Sequence, residues 1–125
     1  MLPEFRSQCP VASALDFFGD RWTLVVLRTI LAGRRRYSEI AAIPEKIATN
    51  VLADRLERLE AYGLISKAPY QTNPRRYRYS LTAKGADVLP VLQALAAWSA
   101  AHVPDRWTSP AWFVDGRPRD FYPAA

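Results

Sequence analysis

Apolar positions recur at helical spacing over the first half of the chain, alternate strictly for a stretch, then return to helical spacing. Val11, Ala14, Leu15 and Phe18 fall at i, i+3, i+4 and i+7, one face of a helix over 10–18 that Pro10 can open without losing a needed N–H. Gly19 ends it, and Asp20 is placed to cap a second helix over 21–31. There Trp22, Leu24, Val25, Val26, Leu27, Ile30 and Leu31 surround the axis, the pattern of a buried spine. A short helix over 37–42 follows, with Ser38 as its expected cap and Ile40 and Ala41 inward. Pro44, Glu45 and Lys46 make a turn, with Ile47 as an apolar anchor. In the next helix, 49–62, Leu52, Leu56 and Leu59 form the buried stripe. Asn50, Asp54, Glu57 and Ala61 face the other way, with Ala53 beside them. Thr49 is the candidate cap, and Gly63 the stop.

Alternation then takes over. Strands are predicted over 65–70 and 76–81, joined by the polar tip Gln71, Thr72, Asn73 and Pro74. In the second strand Tyr77, Tyr79 and Leu81 point to the core, while Arg76, Arg78 and Ser80 point out. Two helices across a turn followed by a basic hairpin define a winged helix-turn-helix, a mainly α (α+β) fold. Thr82 caps a final helix over 83–102, which Pro90 bends unless its first turn is separate. Its apolar arc is wider than one small chain can cover. Leu89, Leu92, Leu95 and Trp98, with Val11, Leu15 and Phe18, are therefore the expected homodimer seam. Residues 1–103 thus read as a winged domain with terminal dimerisation helices. Residues 104–125, rich in proline and carrying Trp107, Trp112, Phe113, Phe121 and Tyr122, read as a tail that packs back on the dimer.

Charge sharpens this picture. Against 12 acidic residues stand 17 Lys and Arg, giving a net charge of +5. The arginines bunch at Arg34, Arg35 and Arg36 and at Arg75, Arg76 and Arg78, on either side of the helix-turn-helix, which suits a phosphate surface. Double-stranded DNA is the expected partner. Thr49 and Asn50 are the first candidates for base edges or phosphate, with Ala53, Asp54 and Arg55 on or beside the same face and Ser38 at the start of the preceding helix. The wing arginines are assigned to backbone or minor groove. A single cysteine precludes an internal disulfide, and a single histidine leaves no Cys/His set for zinc. With His102 alone, no Gly-rich phosphate loop and no histidine near Cys9 in sequence, an enzyme is not expected, nor a cofactor. The N-terminal residues lack a secretory pattern, and no run is apolar enough to span a bilayer, so no membrane is involved and a cytoplasmic location is the default expectation.

These segments together resemble the HxlR-type family of winged helix-turn-helix regulators, relatives of the MarR group. The matching pieces are Cys9-Pro10-Val11, Gly19-Asp20-Arg21-Trp22-Thr23-Leu24, Tyr37-Ser38-Glu39-Ile40 and Leu52-Ala53-Asp54-Arg55-Leu56. Gly63-Leu64-Ile65, Pro74-Arg75-Arg76-Tyr77-Arg78-Tyr79-Ser80-Leu81-Thr82 and Lys84-Gly85 complete the set. Spacing is kept from Cys9 to about Val103. The resemblance implies a homodimeric transcription regulator on an inverted-repeat operator. It also implies a role for Cys9, since members of that family sense oxidants and electrophiles with a cysteine at this place. The helix start at Pro10 favours a thiolate there, and Arg6 is placed to add positive charge. Ala48 and Ala53 depart from the family's usual polar residues, which puts the operator sequence outside what relatives can lend. Two other readings stay open. One is a regulator with an inert Cys9 that answers to a small molecule lined by Trp22, Phe17 or Trp98. The other is a winged-helix protein-interaction module without specific DNA binding.

Overall fold

In the computed structural model, which describes residues 2–122, buried side chains converge on one spine. It is α2 (Thr23–Leu31), whose Val26, Leu27 and Ile30 are fully enclosed, as the all-round apolar pattern predicted. The helix starts two residues later than expected. Asp20 still serves its first turn, accepting from the N–H groups of Trp22 at 3.0 Å and Thr23 at 3.1 Å and from the Thr23 hydroxyl. Ahead of it, α1 (Pro10–Phe18) lies across the surface. Phe17 and Phe18 reach the core from this helix, while Val11 and Leu15 stay outside.

The helix-turn-helix is α3 (Tyr37–Ala41) and α4 (Thr49–Ala61). Ser38 is not the cap expected of it. Arg36 occupies the N-cap position, and the Glu39 carboxylate reaches back to its N–H at 3.0 Å, leaving Ser38 exposed in the first turn. An acid at the third helical position satisfies the leading amide as well as a capping hydroxyl would. Thr49 is likewise not a cap: it is the first helical residue, and Ala48, which carries no acceptor, precedes it. Leu52, Leu56 and Leu59 are buried as predicted. Gly63, at φ +77°, turns the chain out of α4 in the left-handed conformation that glycine adopts without a Cβ clash, and Leu64 N–H closes back on the Leu59 carbonyl.

The wing is an antiparallel pair, β1 (Ile65–Thr72) and β2 (Arg75–Leu81), paired from Ile65 with Leu81 out to Thr72 with Arg75. Both strands outrun the expectation, and the tip shrinks to Asn73 and Pro74. The register shift between Pro69 and Gln71 leaves Tyr70 as a bulge, and pairing resumes beyond it. A third segment joins the sheet: Arg36 bridges Arg78, and Tyr79 N–H donates to the Arg35 carbonyl at 2.8 Å.

Beyond the wing the expected single helix is two, α5 (Ala83–Ala86) and α6 (Leu89–His102). Thr82 caps the first, its hydroxyl accepting from Gly85 N–H at 3.0 Å and donating to the Gly63 carbonyl at 2.6 Å. Pro90 falls in the opening turn of α6, where its missing N–H costs no helical hydrogen bond, so the chain breaks before it rather than bending at it. Leu89 and Leu92, expected in the dimer seam, are instead part of the protomer's own core. They lie in the same buried cluster as α2 and α4, and Val91, Leu95 and Trp98 are left exposed on α6.

The tail packs on its own chain. In α7 (Ala111–Val114) Phe113 is buried, and the Gln93 side-chain amide of α6 donates to the carbonyls of Phe113 at 2.9 Å and Gly116 at 3.0 Å. A 3-10 turn at Pro118–Asp120 then lies against α5. Among the described residues no helix is long and apolar enough to cross a membrane.

Candidate nucleic-acid interface

Three fixed joints hold α4 in place. Arg28 of α2 grips Glu45 in the turn through both guanidinium nitrogens, at 2.7 and 3.1 Å, and this hydrogen-bonded pairing holds the Glu45 carboxyl below its usual range. Tyr37 donates its hydroxyl to the Thr49 carbonyl at 3.1 Å, tying α3 to the first residue of α4. Arg55 turns inward, its Nε 2.8 Å from Asp20. Burial alone would raise the Asp20 carboxyl. The Thr23 hydroxyl, the Arg55 guanidinium and the Trp22 N–H outweigh it and hold the group at about 2.

These joints sort the candidates. Thr49, Asn50 and Ala53 lie exposed on the outer side of α4, as expected of a reading face. Arg55 does not belong to that face. Its guanidinium is spent on Asp20 and on Asp54, 2.5 Å from Nη1, and is only 16% exposed. Asp54 is also engaged, by Arg55 and by Arg58 Nε at 3.2 Å, both on Oδ2, while the side chain stays half exposed. An arginine one turn from the buried stripe is drawn to an internal acid because that partner sits 35 positions earlier, a distance no local pattern reveals. Because Ala48 brings no side-chain acceptor, the leading amides of α4 have no side-chain cap among the described residues.

The wing supplies the cations. Arg75, Arg76 and Arg78 are exposed and, among the described residues, none forms an ion pair. Arg34 and Arg36 are exposed and Arg35 is partly buried, none of them in an ion pair among the described residues, and the bridge between Arg36 and Arg78 brings this run to the wing's base. Arg36 was not a site candidate from the sequence. Its signal was the triple-arginine run directly before α3, readable as wing only once the third segment is seen. Tyr79 packs toward the core, and its burial raises its hydroxyl above the ordinary tyrosine value.

Cys9 lies apart from this surface, exposed at the N-cap of α1. The backbone N–H groups of Ala12 and then Val11 lower its thiol below the ordinary value, as the helix start implied. Arg6 does not contribute as expected, since its Nε is held by Asp16 at 2.6 Å. The aromatic candidates for a ligand site are not gathered. Phe17 sits among Phe5, Phe18 and Tyr62, whereas Trp98 stacks near His102 on the exposed side of α6. A groove of roughly 690 Å³ opens instead between α6 and the tail, bordered by Ala97, Ala100 and Trp107.

A helix-turn-helix with a basic, two-stranded wing is the fold class these residues build. The chain belongs to the HxlR-like helix-turn-helix family, which matches residues 17–106. It is 40% identical over 90 residues to an uncharacterized HTH-type transcriptional regulator of Methanothermobacter thermautotrophicus, covering 72% of this chain and 69% of the relative. To the uncharacterized HTH-type transcriptional regulator sll1512 of Synechocystis it is 36% identical over 87 residues, which is 70% of this chain but only 64% of that one. These relatives are named as regulators rather than enzymes, the class the sequence predicted. Among solved structures, the reduced form of the Bacillus subtilis transcriptional regulator YodB matches 81% of this chain and all of its own, with 27% identity and a TM-score of 0.64. The redox regulator HypR in its oxidized form matches 80% of this chain and all of its own, with 29% identity and the same TM-score, 0.64.

Proposed function

We propose that the protein is a homodimeric, sequence-specific DNA-binding transcription regulator whose operator is an inverted repeat. The observation that carries this is the outer face of α4, with Thr49, Asn50 and Ala53 open and the leading amides uncapped, beside six arginines that pair with no acid among the described residues. Phosphates neutralise such arginines and release their counterions, while Asn50 pairs bidentately with adenine. Ser38 and Thr49 add hydroxyls for backbone oxygens. Arg75, Arg76 and Arg78 follow the strand into the neighbouring groove. Val11 and Leu15 of α1 and Leu95 and Trp98 of α6 are the apolar side chains left for a two-fold partner, with Phe18 half-buried at the edge.

Cys9 is the proposed trigger. Its thiolate is favoured and exposed, and the similar structures include a diamide-treated YodB and both redox forms of HypR. With one cysteine per chain, oxidation joins it to a second chain's thiol or to a small thiol, displacing α1 at the dimer seam. Nuclease protection of the DNA upstream of the protein's own coding sequence tests both parts. The expected pattern is two half-sites in inverted orientation, about one helical turn or roughly 34 Å apart or a multiple of it. Diamide abolishes protection by the wild type but not by Cys9→Ser. Protection that is absent, or asymmetric and single, contradicts the dimer-operator reading. A Cys9→Ser protein still released by diamide contradicts the trigger alone.

A further inference from the structure

Tyr70 is the bulged residue of the wing, and two guanidiniums share its ring. The Arg36 guanidinium carbon lies 4.5 Å from the ring centroid and that of Arg78 lies 5.8 Å from it. The arginines come from segments 42 positions apart, brought together by the backbone bridge between them. Like charges held this close repel, and an aromatic face offsets only part of that. Neither guanidinium forms an ion pair among the described residues. Tyr70 also borders a concavity of roughly 310 Å³ lined by Tyr37, Ser38, Arg75 and Arg76, which neither Arg36 nor Arg78 lines.

We propose that Arg36, Tyr70 and Arg78 form one cradle for the sugar–phosphate backbone of duplex DNA, placed at the join of α3 and the wing rather than at the wing tip. This rests on the DNA-binding reading and adds two residues to it. Arg36 and Arg78 contact phosphate oxygens directly, and guanidinium forks suit that geometry. Tyr70 is a positioning residue: its ring holds both guanidiniums in place, so less side-chain freedom is lost when the backbone docks. Contacts of this kind carry no base information, and the cradle therefore serves every duplex alike.

Titrating a labelled random-sequence duplex at several salt concentrations is the test. For Arg36→Gln the slope of log affinity against log salt falls by about one, with affinity down roughly tenfold at low salt. Arg78→Gln does the same. Tyr70→Leu weakens binding several-fold and Tyr70→Phe restores it, since the ring face and not the hydroxyl is what matters. Combining Tyr70→Leu with Arg36→Gln costs less than the two separate losses together, as for residues acting as a unit. Arg119→Gln, on the tail, leaves the curve in place. Wild-type binding with an unaltered slope in Arg36→Gln overturns the cradle and leaves the DNA reading standing. No wild-type binding at low salt overturns both. Circular dichroism melts accompany each variant, and a Tyr70→Phe protein that melts normally yet stays weak also overturns the ring's role.

Discussion

Gly85→Ala unfolds or severely destabilises the protein, the largest single effect expected from any one-atom change here. A Cβ built on Gly85 lies 1.9 Å from the Leu64 carbonyl oxygen and 2.9 Å from its carbon. Both are backbone atoms at the base of the wing, so no side chain can swing aside. Relief requires α5 to lift away from the start of β1. That movement breaks the Thr82 hydroxyl's bond to the Gly63 carbonyl and the bond from Lys84 Nζ to the Tyr62 carbonyl at 2.8 Å. Overpacking of this kind costs ~3 kcal/mol or more, of a total on the order of 10 kcal/mol for a domain. A thermal melt followed by circular dichroism should fall by on the order of 10 °C. An unchanged melting temperature would mean that α5 does not press on the wing as described.

Asp20→Asn is the second large effect, and it has a pH signature. The carboxylate joins four partners: two leading N–H groups of α2, the Thr23 hydroxyl and Arg55 of the recognition helix. An amide oxygen in the Oδ2 position still accepts from both N–H groups and from Arg55, but the negative charge opposite the guanidinium is gone and a donor now faces the Thr23 hydroxyl. The cap itself is kept, because asparagine caps as well as aspartate, and losing the charged hydrogen bond to the guanidinium costs ~1–2 kcal/mol. The sign with pH follows from the depressed carboxyl. At about 2 in the folded chain, against about 3.9 when unfolded, it binds fewer protons folded than unfolded. Its contribution is complete above about pH 4 and is lost as pH falls to about 2. Urea titrations across that range should show the wild type's stability converging on that of Asp20→Asn at the acid end, with the gap fully open by neutral pH. A constant gap would contradict the assignment. Because Arg55 is the link, Asp20→Asn also loosens α4, and DNA affinity should drop even where the protein stays folded.

Much of this was legible before any coordinates. The stripe Leu52, Leu56 and Leu59 gave α4 its buried side, Gly63 its end, and the alternation of Tyr79 and Leu81 with Arg78 and Ser80 gave β2 its inner and outer faces. Thr82 capped the helix it was assigned. Those signals are local, carried by period and by cap chemistry. What failed to show was non-local or degenerate. Arg55 reads as a flank cation for phosphate or an internal acid, and only the fold shows that the acid is Asp20, far back in the chain. The arginine run before α3 reads as a basic cluster suited to phosphate, but not as part of the wing until Arg36 meets Arg78. Ser38 and Glu39 both satisfy a helix start, and the sequence cannot say which one the backbone uses. Leu89 and Leu92 share a period with Leu95 and Trp98, so the pattern gave one broad arc. Only the folded chain separates Leu89 and Leu92, which are buried in the core, from Leu95 and Trp98, which are left outside. The tail's aromatics announced that it packs somewhere, but the carbonyls that hold it to Gln93 are invisible in side-chain patterns.

The central claim, that α4 and the wing read a particular DNA sequence, is tested most directly by equilibrium titration. A labelled duplex carrying the region upstream of the protein's own coding sequence is compared with a shuffled copy at several salt concentrations. Preference for the upstream duplex by about a thousandfold or more, persisting as salt weakens both, is the predicted result. Equal affinity for the two duplexes, or none for either at low salt, would contradict it.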